Sequence, residues 1–183
     1  RSGHVTGVQT CALPIYKMVN LDTKERYLLE DAKTQEALCV AKYKEHSEKA
    51  SCPELKNLFS SLASKEQEHL DTINQILSGT VPNVEQNQSK QGQQTQQNTQ
   101  SQFNLGNLQS QTPINMQANY NETDKLLCED GLSMEKYVSA TYNTSIFEFR
   151  DENIRKVLNH IQTEEQGHGK KIYDYMHQHG MYN

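Results

Sequence analysis

The chain has 183 residues, of which 34% are hydrophobic, and it carries a formal net charge of −5. A length of this order favours one domain, and the interleaved charges form no basic patch of the kind that nucleic acid binding requires. No apolar stretch approaches the roughly 20 residues of a membrane-spanning helix, so neither a nucleic acid nor a membrane partner is expected. The cysteines include no Cys-x-x-Cys pair, which argues against a zinc knuckle or a thioredoxin-type site.

The first 15 residues, RSGHVTGVQTCALPI, resemble a translated sequencing adapter more than a protein segment. The chain also does not begin with Met. We therefore expect residues 1–19 to be a non-native or disordered remnant and the natural N-terminus to be missing.

A helical hairpin is predicted for residues 20–79, with helices from Thr23 to Ala50 and from Pro53 to Ser78. Ser51 and Glu54 match a capping box for the second helix, and Gly79 suits its end. Spacings of three and four residues define one seam on each helix, and a short turn makes the two helices antiparallel neighbours. The seams are Leu29, Ala32, Glu36, Cys39 and Tyr43, then Leu55, Phe59, Leu62, Glu66, His69, Ile73 and Ile76.

Residues 80–121 are dense in Gln and Asn and contain few large apolar side chains. Such a segment buries too little surface to offset the entropy of ordering, which predicts a mobile linker. A polar adhesive tract that mediates assembly is the alternative.

A second hairpin is predicted for residues 122–183, with helices from Thr123 to Phe149 and from Glu152 to His179. Asp151 lies at the N-cap position of the last helix, and Gly180 ends it. Its seams have the same spacing as those of the first hairpin. They contain Cys128, Gly131, Glu135, Val138, Tyr142, Ser145 and Phe149, then Ile154, Leu158, Ile161, Glu165, His168, Ile172 and Tyr175.

The two hairpins are an internal repeat, because a shift of 99 residues lays the first on the second without a gap. The shift brings Glu66-Gln67-Glu68-His69 onto Glu165-Gln166-Gly167-His168 and also matches the two seam tyrosines. A two-helix unit has an apolar face that it cannot bury alone, so two such units are expected to pack as a four-helix bundle.

The polar seam residues are predicted to meet in one layer of that bundle. Glu36 precedes the turn residue Ser51 by 15 positions and Glu66 follows it by 15, so both lie at the same height in an antiparallel hairpin. Glu-x-x-His places a carboxylate and an imidazole on one helix face. The predicted metal ligands are Glu36, Glu66, His69, Glu135, Glu165 and His168.

Four carboxylates in an apolar interior are costly unless they are paired, protonated or bound to cations. One Glu from each of two helices and Glu-x-x-His from the other two is the known ligand pattern of ferritin-like di-iron and di-manganese proteins. Carboxylate and imidazole ligands suit iron or manganese. A bundle that has lost its metal is the alternative. Tyr43 and Tyr142 are predicted to be core aromatics with satisfied hydroxyls, although a redox role is conceivable.

Four motifs resemble the coat F family of spore coat proteins from endospore-forming Firmicutes, which belongs to the ferritin-like group. The resemblance covers Lys24 to Tyr182 apart from the linker, which departs from the family pattern. Rubrerythrins and manganese catalases share the Glu-x-x-His motif, so its specificity is moderate. The motifs are Leu28-Leu29-Glu30-Asp31, Ala50-Ser51-Cys52-Pro53-Glu54-Leu55, Glu66-Gln67-Glu68-His69 and Glu164-Glu165-Gln166-Gly167-His168.

The resemblance implies an all-α, ferritin-like four-helix bundle with a long crossover linker, although an up-down-up-down bundle is also compatible with one polar layer. It further implies a structural protein of the spore coat, made in the mother cell, with other coat proteins as partners; a homo-oligomer is left open. The competing class is an enzyme, a di-iron or di-manganese oxidase or peroxide-consuming protein. A third hypothesis is an assembly adaptor that acts through the Gln/Asn tract.

Overall fold

A computed structural model describes residues 19–83 and 120–182. The described residues form four helices and no strand, which confirms the predicted all-α class. The N-terminal remnant and most of the predicted linker lie outside these residues. The helices are α1 (Thr23–Lys49), α2 (Pro53–Leu77), α3 (Glu122–Ile146) and α4 (Glu152–Gln178).

The helix starts follow ordinary capping chemistry, with one prediction wrong. Asp151 caps α4 as predicted, but Ser51 and Glu54 form no capping box, because α2 begins after Cys52 without a side-chain cap. Ser51 instead donates two hydrogen bonds to the Asp124 carboxylate, from its amide at 2.7 Å and its hydroxyl at 2.6 Å. The Ser51 hydroxyl therefore joins the two hairpins and does not cap α2.

The helix ends are set by local backbone geometry. Gly79 and Gly180 follow α2 and α4 with φ of 96° and 67°, a conformation that glycine adopts without strain. Helix α3 ends at Ile146, three residues before the predicted end at Phe149. The chain leaves the helix there, and Phe149 is buried in the core.

Contacts between the hairpins define the topology. Arg150, after the end of α3, donates its amide to Glu25 in the first turn of α1 at 2.8 Å, and Ser51, after the end of α1, bonds Asp124 in the first turn of α3. Helices α1 and α3 are therefore antiparallel neighbours, as are α2 and α4. It follows that α2 ends at one end of the bundle and α3 begins at the other, which is the ferritin-like arrangement and not an up-down-up-down bundle.

The sequence repeat becomes an approximate two-fold symmetry. Glu25 and Asp124 occupy equivalent positions, as do Ser51 and Arg150. Both acids are buried, and each accepts hydrogen bonds from the interhelical turn of the other hairpin. One acid at each end of the bundle thus ties the two hairpins together.

The core has two apolar clusters. The first contains Leu29, Ile73 and Ile161, and the second contains Leu55 and Phe59. The polar seam residues lie between the two clusters along the bundle axis. Each fully buried large side chain stabilises the fold by about 1.5–3 kcal/mol, so the clusters hold the intervening layer between well-packed walls. None of the described helices combines the length and apolarity that a membrane crossing needs.

Candidate metal centre

All six predicted ligands are buried in the interior. Their exposed fractions range from 0% for Glu36 and Glu66 to 4% for Glu135. Each of the four helices contributes to the layer, Glu36 from α1, Glu135 from α3 and one Glu-x-x-His pair from each of the other two. The sequence therefore predicted which residues meet, while their role as ligands stays a prediction.

The six residues form two overlapping groups, and within each group one ligand atom per residue lies within 4.8 Å of the others. Glu66 and Glu165 belong to both groups, as carboxylates that bridge two cations would. One group is Glu36, Glu66, His69 and Glu165, and the other is Glu66, Glu135, Glu165 and His168.

The two imidazoles face the shared carboxylates with the same ring nitrogen. His69 Nδ1 lies 3.0 Å from Glu165 Oε1 and 3.4 Å from Glu66 Oε2. His168 Nδ1 lies 2.8 Å from Glu66 Oε1 and 3.5 Å from Glu165 Oε2. The rings are nearly parallel, with centroids 5.6 Å apart. Each histidine thus reaches across the hairpin boundary to the bridging carboxylate of the other hairpin.

These contacts lie at ion-pair distances, but neither Nδ1 atom makes a hydrogen bond of favourable geometry. Both Nδ1 atoms, both oxygens of Glu66 and Glu165, and one oxygen each of Glu36 and Glu135 are buried without a hydrogen-bond partner. Leaving one such polar atom unsatisfied costs about 1–3 kcal/mol. Oxygen and nitrogen atoms that converge without hydrogen bonds are the arrangement that two divalent cations would satisfy, so the residues fit a dinuclear site.

Two buried tyrosines hold the outer carboxylates. Tyr43 donates its hydroxyl to Glu135 Oε1, and Tyr142 donates to Glu36 Oε1, so each bond joins the two hairpins. Burial and the neighbouring carboxylates raise the pKa of both phenols well above its usual value, which keeps them as donors. The predicted satisfied hydroxyls are confirmed, and each bond leaves the second oxygen of its glutamate unpaired.

Glu164 is a site residue that the sequence reasoning missed. Its Oε2 lies 2.9 Å from His69 Nε2, and this contact lowers the pKa of Glu164, so an ionised carboxylate accepts the Nε2 proton. A neutral ring with its proton on Nε2 would have its Nδ1 lone pair free to bind a metal ion, as a metal-ligating histidine requires. The repeat places Lys65 at the equivalent position for His168, which makes the two halves chemically unequal.

Protonation in the metal-free layer follows from burial and from the imidazoles. Burial raises the pKa of Glu36 to about 8 and that of Glu135 to about 11. Burial acts in the same direction on Glu66 and Glu165, but His69 and His168 outweigh it and lower both pKa values. Binding two divalent cations would therefore displace protons from the outer glutamates.

A comparison with known protein families finds a match for the second hairpin. Residues 123–183 match the Coat F domain family over the whole of α4 and nearly all of α3. This hairpin is similar to the Coat F domain. Over 73 residues the chain is also 33% identical to the uncharacterized protein YusN of Bacillus subtilis strain 168. That match covers 40% of this chain and 64% of YusN, just under two thirds of the relative.

The fold is shared with a solved structure. KatB, a manganese catalase from Anabaena, superposes with a TM-score of 0.60 and 16% sequence identity, over 96% of this chain and 82% of KatB. This likeness confirms the predicted ferritin-like helical bundle as the fold. At 16% identity it bears on the fold alone.

Proposed function

We propose that the chain is a spore-coat protein whose ferritin-like bundle binds two divalent metal ions between its hairpins. The observation that carries the metal proposal is the pair of buried carboxylates, Glu66 and Glu165, shared by two four-residue groups. The unpaired buried oxygens and nitrogens around them support it, because an interior of this kind is costly without cations.

Each of the six ligands would have a defined place around the two ions. Glu66 and Glu165 would bridge the ions, Glu36 and His69 would complete one side, and Glu135 with His168 the other. The two tyrosines orient the outer glutamates, and the apolar clusters close the layer above and below. An iron or manganese pair would supply redox and Lewis-acid chemistry there.

Metal analysis of matched variants tests the proposal. After loading with Mn²⁺ or Fe²⁺ and desalting, we expect about two ions per native chain and none in Glu66→Gln, which removes a shared ligand. Glu68→Gln is the matched control, because Glu68 lies two residues away on the same helix and is exposed. Glu36→Gln should retain about one ion. Equal metal content in Glu66→Gln and Glu68→Gln would overturn the proposal.

The coat location is supported by the match of residues 123–183 to the Coat F domain family. A structural role beside other coat proteins is the first candidate, and a fluorescent fusion in sporulating Bacillus tests it. We expect the fusion to surround the forespore, and a signal that stays diffuse would contradict the coat location. Removing residues 83–120 should leave the location unchanged if the Gln/Asn tract is a spacer, and should abolish it if the tract is an assembly adaptor.

Consumption of peroxide or oxidation of a small substrate is the second candidate. It is favoured by a surface groove that reaches Glu135 and Glu165, since a purely structural metal pair needs no path to solvent. Peroxide consumption by the manganese-loaded protein, compared with Glu66→Gln under the same loading, tests this candidate. Equal rates in the two proteins would assign the pair to structure alone.

A further inference from the structure

A groove of about 360 Å³ lies between α3 and α4 and opens to the surface. Two of the candidate ligands, Glu135 and Glu165, are part of its lining. Leu132 and Tyr173 supply apolar wall, and Lys136 and Lys170 add two ammonium groups. The groove therefore joins solvent to one side of the candidate metal layer, the side that contains Glu135.

The internal repeat explains why the groove lies in the second hairpin. Gly169 occupies the position that Leu70 holds in the first hairpin, and Ser139 occupies the position of Val40. Val40 is buried with 6% exposure. A Cβ atom at position 169 would lie 3.5 Å from Leu132 Cδ1 and 3.7 Å from the Cβ of Glu135, so it would make ordinary van der Waals contact beside Glu135. The second hairpin thus has two smaller residues beside the groove where the first hairpin has Leu70 and Val40.

The exposure of the equivalent glutamates agrees with this asymmetry. Glu36 in the first hairpin has no exposed surface, whereas Glu135 retains 4%. The two residues hold equivalent helix positions in one layer, and each accepts a hydrogen bond from a tyrosine of the other hairpin. The groove beside Glu135 accounts for the surface that this glutamate exposes.

We propose that this groove is the access port through which a small anion reaches the Glu135 and His168 side of the metal pair. The inference rests on the proposed dinuclear site. Once two divalent ions have joined four carboxylates and two neutral imidazoles, the formal charge of the layer is zero. The other charged residues of the groove lining are Lys136 and Lys170, whose ammonium groups favour an anion over a cation there. Lys170 also contacts Asp174 at 2.6 Å, so Lys136 contributes most of that preference.

Azide is the probe for this port, and Gly169→Leu is the variant that closes it by copying Leu70. Gly167→Leu is the matched control, since it makes the same change in the same helix while a Cβ there meets nothing within 4 Å. Cobalt-loaded protein is titrated with azide and followed by visible absorption. We expect cobalt binding to be equal in the three proteins and azide affinity to fall at least tenfold in Gly169→Leu alone.

Two further variants separate the steps of the argument. Ser139→Val narrows the groove from α3 and should weaken azide binding in the same direction, even if Gly169→Leu does not fold. Lys136→Gln leaves the port open and should lower azide affinity several-fold, with a weaker dependence on salt. Unchanged affinity in Lys136→Gln would overturn the assignment of an anion.

The outcomes distinguish the port from the metal site itself. If Gly169→Leu and Ser139→Val bind both cobalt and azide as the native chain does, the port is wrong and the dinuclear site stands. If the native chain binds no cobalt, the proposed function fails and the port fails with it.

Discussion

Replacing Glu135 by Gln should stabilise the metal-free protein while it abolishes metal binding on one side of the layer. Burial, the neighbouring Glu165 and the other carboxylates raise the pKa of Glu135 to about 11, so the folded metal-free chain keeps this carboxyl protonated. A glutamine copies the uncharged form, and its carbonyl accepts from the Tyr43 hydroxyl as the carboxyl does. The substitution therefore removes a titratable group and keeps the hydrogen bond from the Tyr43 hydroxyl.

The magnitude follows from proton linkage. The unfolded chain loses the Glu135 proton near pH 4.5, whereas the folded chain retains it, so folding then requires proton uptake. The stability that this proton contributes is present below about pH 4.5 and is lost by about 1.4 kcal/mol per pH unit as pH rises toward the folded-state pKa. At pH 8 the largest loss of stability that this one group can cause is about 5 kcal/mol. The two imidazoles and the three other glutamates titrate together with Glu135, so we expect a smaller difference in the free energy of unfolding, about 1–3 kcal/mol.

Urea denaturation of chelator-treated protein at several pH values measures this effect. We expect Glu135→Gln to match the native chain near pH 4.5 and to exceed its free energy of unfolding by about 1–3 kcal/mol at pH 8. Glu129→Gln, at an exposed position of the same helix, is the control, because it removes an acidic group in the same way. A variant that is less stable than the native chain at pH 8 would refute the argument that Glu135 is buried in its protonated form.

Three further substitutions test the contacts that hold the layer. Glu25→Gln should lower the free energy of unfolding by about 1–2 kcal/mol at pH 7, because Arg150 lowers the pKa of Glu25 to about 2. The loss is no larger because Arg150 is itself 65% exposed. In urea denaturation the difference should vanish as pH falls from about 4.5 toward 2. Tyr142→Phe should cost about 1–2 kcal/mol in thermal denaturation, because Glu36 loses its donor. Phe59→Ala should cost about 3–5 kcal/mol by urea denaturation, against less than about 0.5 for the exposed Phe147→Ala.

Much of this architecture could be predicted from the sequence, because its strongest signals are periodic. Seam spacings of three and four residues located all four helices, and the shift of 99 residues paired the hairpins. The equal distance of Glu36 and Glu66 from Ser51 was enough to place both in one layer. What made these predictions possible is that helix geometry fixes height and face from residue number alone.

Contacts between the hairpins could not be derived in the same way. Periodicity gives the height of Glu164 but not the rotation that brings its carboxylate to His69 Nε2. The Ser51 hydroxyl was assigned to its own helix because local capping is the commoner use, and the tertiary contact with Asp124 prevailed. The family resemblance implied the ferritin-like order of helices, but periodicity was compatible with either order, and the contacts at the bundle ends decide between them.

Anomalous diffraction from crystals soaked in Mn²⁺ tests the dinuclear site most directly. We predict two anomalous peaks per chain, about 3.5–4 Å apart, as in other two-metal sites. One should lie among Glu36, Glu66, His69 and Glu165, and the other among Glu66, Glu135, Glu165 and His168. A layer without either peak, with Mn²⁺ bound only at the surface, would contradict the central claim.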